Sequence, residues 1–120
     1  MKIAITSTGE NLDSNVDPRF GRAKYFIIVD SETMEFKAIE NPSIAAGGGA
    51  GVQSAQLIAD ENVSYLLTGN CGPNAFKVFS AAGINVIVNV SGTIRKAIDD
   101  FNNGVHKISD APNVEPHHGK

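Results

Sequence analysis

Val63 to Gly83, VSYLLTGNCGPNAFKVFSAAG, is the stretch whose reading decides the fold. It opens on a short apolar run, Val63 to Gly69, of strand length and without a helical period. The run breaks at Asn70-Cys71-Gly72 and resumes at Pro73, with Phe76, Phe79 and Ala82 forming an apolar stripe. Proline suits a first helical position, where its missing N–H costs nothing, and Gly83 is a natural C-terminal stop. Ile84 to Val90 then returns to strand. Strand, glycine-rich turn, helix and strand in that order make a parallel crossover, which no hairpin can replace.

Working outward, Lys2 to Ser7 reads as a buried strand and Lys24 to Asp30 as a second, with the dense run Tyr25-Phe26-Ile27-Ile28-Val29. Thr33 to Asn41 alternates, Met34, Phe36 and Ala38 against Glu35 and Lys37, as a strand exposed on one side does. Asp30 to Thr33 is the expected hairpin turn. Val52, Ala55, Ile58 and Ala59 predict a first helix ending near Asn62. Ile94, Ala97, Ile98 and Phe101 predict a last one, closed by Gly104. The order is β-β-β-α-β-α-β-α. A five-stranded mixed α/β sheet of order 3-2-1-4-5, with strand 2 antiparallel and three helices, satisfies both the hairpins and the right-handed crossovers. It puts the loop after strand 1 and all three helix N-termini on one edge. The topological switch point between strands 1 and 4, where such sheets bind ligands, lies there too. Residues 1–109 form the expected domain, and 110–120, rich in Pro, Asn, His and Gly without periodicity, a flexible tail.

At 120 residues, 42% apolar and 19% charged, the chain has the make-up of one globular domain. A formal charge of -3 with ten scattered basic residues argues against a nucleic-acid surface, which needs clustered Lys and Arg. The apolar runs are too short for a membrane span, and the N-terminus does not read as a signal peptide. A single cysteine, Cys71, cannot pair internally and agrees with a reducing compartment, so the cytoplasm is the expected location.

Three segments carry candidate chemistry. Gly47 to Gly51, with Gly48, Gly49 and Gly51 at its heart, precedes the first helix. Glycines permit close backbone approach, and first-turn amides favour an anion; a flexible connection explains the run equally well. It has neither the Lys-Ser/Thr of a P-loop nor a dinucleotide fingerprint, so ATP and NAD are not indicated. In the second segment, around Gly69, Asn70 and Gly72, Cys71 stands at a helix N-terminus, whose dipole lowers a thiol's pKa and favours the thiolate that binds soft metals. The plainer alternative is a small residue filling a tight turn. In the third, Arg19 and Arg22 flank Phe20 and Gly21 in the loop after strand 1, where they present two planar forks to an anion or form surface ion pairs with Asp13 and Asp17. His117-His118 reads as a solvated end in preference to a local metal pair. No Gly-x-Ser-x-Gly elbow is present, and neither strand 1 nor strand 4 carries the carboxylates a two-metal nuclease needs.

With these residues in place, the chain resembles the dinitrogenase iron-molybdenum cofactor biosynthesis family, which includes cofactor carriers and the C-terminal domain of a cofactor-assembly enzyme. The resemblance runs from Met1 to about Gly104. It rests on Arg19-Phe20-Gly21-Arg22-Ala23 before Phe26-Ile27-Ile28-Val29-Asp30, on Gly49-Ala50-Gly51, on Thr68-Gly69-Asn70-Cys71-Gly72-Pro73-Asn74-Ala75-Phe76, and on Ala82-Gly83-Ile84. It implies a ribonuclease-H-like fold and, for characterised members, non-covalent binding of an anionic metal-sulfur cluster. The expected function is thus a non-enzymatic binding or carrier protein for an iron-molybdenum-cofactor-like or iron-sulfur cluster, with cluster-assembly proteins as partners. A sensor or binding module for a small anionic metabolite is the alternative. Cluster-carrying members often have His where this chain has Arg19. A guanidinium stays protonated and cannot ligate, which leaves Arg19 to attract charge and Cys71 as the soft metal ligand.

Overall fold

A computed structural model describes residues 1–42, 50–109 and 111–113. The apolar runs become strands β1 (Lys2–Ser7), β2 (Tyr25–Asp30), β3 (Phe36–Glu40), β4 (Tyr65–Leu67) and β5 (Asn85–Ile87). The helices are α1 (Ala50–Ala59), α2 (Pro73–Ala81) and α3 (Ile94–Asn102). The sheet has the order β3-β2-β1-β4-β5. β2 is antiparallel to both β1 and β3, whereas β4 is parallel to both β1 and β5. Element order, strand order and strand directions are those read from the sequence, and the arrangement is ribonuclease-H-like. Among the described residues no helix is long and apolar enough to cross a membrane.

The central strands read as unbroken apolar runs because both faces are covered. Ile3, Ile5, Ile27, Val29, Leu67 and Ile87 pack with Ile94, Ala97 and Ile98 of α3. Ala4, Phe26, Ile28, Leu66 and Val86 face the other way, against Ala55 and Ile58 of α1 and Ala75 and Phe79 of α2. Helices therefore lie on both sides of one sheet, as parallel crossovers require.

Local differences from the sequence reading have local causes. β3 begins at Phe36 because the preceding residues form the turn: Glu32 and Thr33 amides donate to Asp30 Oδ1 (2.9 and 3.1 Å), and Met34 takes φ 67°. Nor is β3 covered on one side only. Ala38 packs against one core, Ile39 against the other, and Phe36 is exposed. On α1 the buried face is Ser54, Ala55 and Ile58, while Val52 turns outward. Ser54 can be buried because its hydroxyl donates to Asn41 Oδ1 (3.1 Å), whose amide nitrogen in turn donates to the Ala23 carbonyl (2.9 Å). On α2, Ala75 and Phe79 are buried and Ala82 is exposed, since the helix turns Phe79 toward Phe20. On α3 the expected stripe holds, with Thr93 Oγ1 accepting from the Lys96 amide (3.1 Å) and Gly104 at φ 72°.

Phe20 plugs the first core from the loop after β1. Its ring stacks on Phe26 at 5.5 Å and meets Phe79 edge-on at 5.1 Å. Because the ring is almost wholly buried, Phe20→Ala should cost about 3–5 kcal/mol, and Phe20→Leu distinctly less. Urea unfolding measures both; a Phe20→Ala cost below about 1 kcal/mol would show that the ring does not anchor the loop.

Candidate functional site

The site begins where β1 and β4 end side by side. Thr6 and Thr68 are both buried, with their hydroxyls 2.9 Å apart. Thr6 Oγ1 donates its one proton to the Asp17 carbonyl (2.7 Å), so Thr68 is the donor within the pair. The Asp17 amide returns a bond to the Thr6 carbonyl (2.9 Å), and the Asp17 carboxylate accepts from the Arg19 amide (3.0 Å). This bracket fixes the turn Asp17-Pro18-Arg19 above the strand ends.

Opposite it, the chain leaving β4 passes directly under Pro18. A Cβ on Gly69 would lie 2.6 Å from Pro18 Cα and 2.7 Å from its carbonyl oxygen, so only glycine fits without moving backbone. The Phe20 amide then donates to the Asn70 carbonyl (3.2 Å), and Arg19 forms a parallel bridge with Asn70. On the other flank, a Cβ on Gly21 would stand 3.4 Å from Gly51 Cα at the start of α1. Arg19 to Arg22, Asn70 to Gly72 and Gly51, the described end of the glycine run, therefore meet at one sheet edge.

Between them opens a cavity of about 520 Å³. Arg19, Phe20, Gly21, Arg22, Gly51, Asn70 and Gly72 line it, together with Pro73, Asn74 and Ala75 from the first turn of α2. Gly48 and Gly49 lie outside the described residues, as do His117 and His118. Gly69 and Cys71 are not among the lining residues. Gly69 acts from below, through its contact with Pro18.

Electrostatically the mouth is a donor surface. Gly72 precedes α2 with no side-chain cap, and Pro73 has no N–H, so the amides of Asn74 and Ala75, two residues that line the cavity, are left uncapped. The sequence reading brings this helix N-terminus to the edge without naming Asn74 and Ala75 as site residues, although a proline at the first helical position marks the next two residues as uncapped. The arginine forks are largely uncommitted. Asp13 pairs with Arg95 (3.2 Å), Arg19 Nε stands 4.0 Å from Asp17 Oδ1, and among the described residues Arg22 has no ion pair. The third helix N-terminus takes no part, because its amides at Ile94 and Arg95 donate to the carbonyls of Ser14 and Leu12 (both 2.8 Å).

Cys71 stands beside this surface but faces the first core, wholly buried with Phe20, Ala75 and Phe79. Its Sγ contacts the Gly72 carbonyl at 3.7 Å. Burial pushes the thiol up to about 12, the reverse of the shift expected from a helix N-terminus, because removal from water penalises the thiolate. Among the described residues no group of three or more His, Cys, Asp or Glu could hold a metal ion.

The raised pKa has a definite sign. Above the ordinary value of 9.0 the unfolded chain loses its thiol proton while the folded chain keeps it until about 12, so stability falls as pH rises through that window. Unfolding free energy measured at stepped pH should decline less steeply in Cys71→Ala than in wild type. Parallel slopes would mean that the thiol already ionises freely in the folded protein.

Comparison with known proteins agrees with this architecture. Residues 1–104 match the family model for dinitrogenase iron-molybdenum cofactor proteins. An uncharacterized protein of Methanocaldococcus jannaschii is 34% identical over 108 residues, covering 87% of this chain and 92% of that protein. The apo form of the orange protein from Desulfovibrio gigas superimposes with a TM-score of 0.91 at 42% identity, over 94% of this chain and 96% of that one. A NifB-like protein from Thermotoga gives a TM-score of 0.78 at 40% identity, over 89% and 91% of the two chains.

Proposed function

The chain belongs to the dinitrogenase iron-molybdenum cofactor family, and from that membership and the geometry of its mouth we propose that it is a non-enzymatic, cytoplasmic carrier of an anionic metal-sulfur cluster. The observation that carries the reading is the pairing of uncapped α2 amides with two arginines, Arg19 in a long 4.0 Å ion pair with Asp17 and Arg22 in none among the described residues, around one cavity. Sulfide ligands on a negatively charged cluster accept hydrogen bonds from N–H donors, and the guanidinium forks add charge. The cargo is then held whole, through its outer sulfides, and no protein bond to its metal is needed for capture. Cys71, the soft ligand that the sequence offers, serves here to pack the turn, since it is neutral and outside the lining. Family and structural neighbours fit a cofactor-binding or carrier role, and cluster-assembly proteins are the partners such a role requires.

A second reading rests on the same lining. Among the described residues it contains no thiol, thioether or imidazole, so a small phosphorylated or carboxylated metabolite satisfies the donors as well.

Anaerobic titration with tetrathiomolybdate, a soluble metal-sulfur dianion with visible bands, separates the two when inorganic phosphate is run beside it. Wild type should bind the thiometallate in preference to phosphate. Arg19→Ala and Arg22→Ala should each weaken binding by about 5–10-fold, and added salt should weaken it further. Gly72→Ala should also weaken it, because a Cβ there meets nothing within 4 Å and adds a methyl to the mouth without disturbing the fold. Equal or tighter binding of phosphate would favour the metabolite reading and refute the carrier.

A further inference from the structure

Asn113 lies 42 residues beyond Cys71, in the stretch that reads from sequence as a tail, and it docks on the turn that carries Asn70. Its side chain and backbone make four hydrogen bonds there. The Cys71 amide donates to Asn113 Oδ1 (2.8 Å), and the Asn113 amide donates back to the Cys71 carbonyl (3.2 Å). Asn113 Nδ2 donates to the Gly69 carbonyl (3.2 Å) and to Asn70 Oδ1 (3.1 Å).

These bonds determine the orientation of two amide groups. The Cys71 N–H can only donate, so Asn113 must present its oxygen to it and its nitrogen to Gly69 and Asn70. Asn70 must then turn its own oxygen toward Asn113. That leaves the Asn70 NH2 as the end available to an anion in the cavity that Asn70 lines.

We propose that Asn113 is a positioning residue for the mouth: it holds the Gly69 to Cys71 turn closed over the thiol and fixes Asn70 as a donor toward the bound anion. The second half of this inference rests on the anion-carrier reading; the first half does not. It makes the segment after α3 part of the site, although the residues matched by the family model end at 104.

Two measurements test it. In ligand-free protein the chain's single cysteine makes thiol labelling unambiguous. Asn113→Ala should raise the rate of Cys71 labelling by dithionitrobenzoate about tenfold at unchanged far-ultraviolet circular dichroism. An unchanged rate would overturn the proposal. For the second half, tetrathiomolybdate affinity is measured in Asn113→Ala, Asn70→Ala and the double variant. If Asn113 acts through Asn70, each single change weakens binding several-fold and the double is no weaker than Asn70→Ala alone, whereas additive losses would refute the positioning role. Asn113→Asp, which can only accept, should turn the Asn70 amide round and bind more weakly than Asn113→Ala. A probe that binds neither wild type nor any variant would count against the carrier reading, and the labelling rates would still decide whether Asn113 holds the turn.

Discussion

The parallel pairing of β1 with β4 is the constraint on which the rest of the molecule depends. Two parallel neighbours at the centre of the sheet, each leaving toward a different side, open a crevice at their shared end. Here the end is drawn tight by the Thr6–Thr68 hydroxyl pair and by Gly69 passing under Pro18. Because that approach leaves no room for a side chain, the arginine loop and the turn before α2 are locked together through backbone. The mouth is therefore assembled as part of the core. Phe20 shows the coupling directly: its ring fills the first core while its neighbours Arg19 and Arg22 stand at the rim.

The same tight assembly explains the split between Cys71 and the donors around it. A turn pressed against the core buries the one side chain that points inward, and burial keeps that thiol protonated. The backbone of the following helix, by contrast, keeps its first amides free because glycine and proline supply no cap. Capture of a negatively charged group by pre-positioned amides and guanidinium forks requires no reorganisation of the core. Ligation by sulfur would require the turn to open first.

Much of this was legible in the sequence. Strand runs, helix stripes and the glycine turns at residues 69–72 and 83 were enough to give the strand order, and the order alone brings residues 19–22, 51 and 70–72 to one edge. What could not be read was whatever depends on partners distant in the chain. The direction of the Cys71 side chain is set by Phe20 and Phe79, not by its neighbours in sequence. Burial of Ser54 in place of Val52 on α1 depends on Asn41, from the segment before the helix. The Gly69–Pro18 contact joins separate halves of the chain, and Asn113 reaches the turn from beyond the last helix. Periodicity carries no trace of such contacts, because each is decided by packing, hydrogen bonds or a missing Cβ between residues far apart in the chain.

The central claim is that the mouth holds a metal-sulfur anion by donors rather than through the thiol. Anaerobic purification from the native source, followed by visible spectroscopy and metal and sulfide analysis before and after a salt wash, tests it most directly. The account predicts visible charge-transfer bands, with iron or molybdenum and sulfide co-eluting with the protein, lost to high salt while Cys71 stays unmodified and buried. A colourless, metal-free protein, or a cluster that resists salt and leaves only when Cys71 is alkylated, would contradict it.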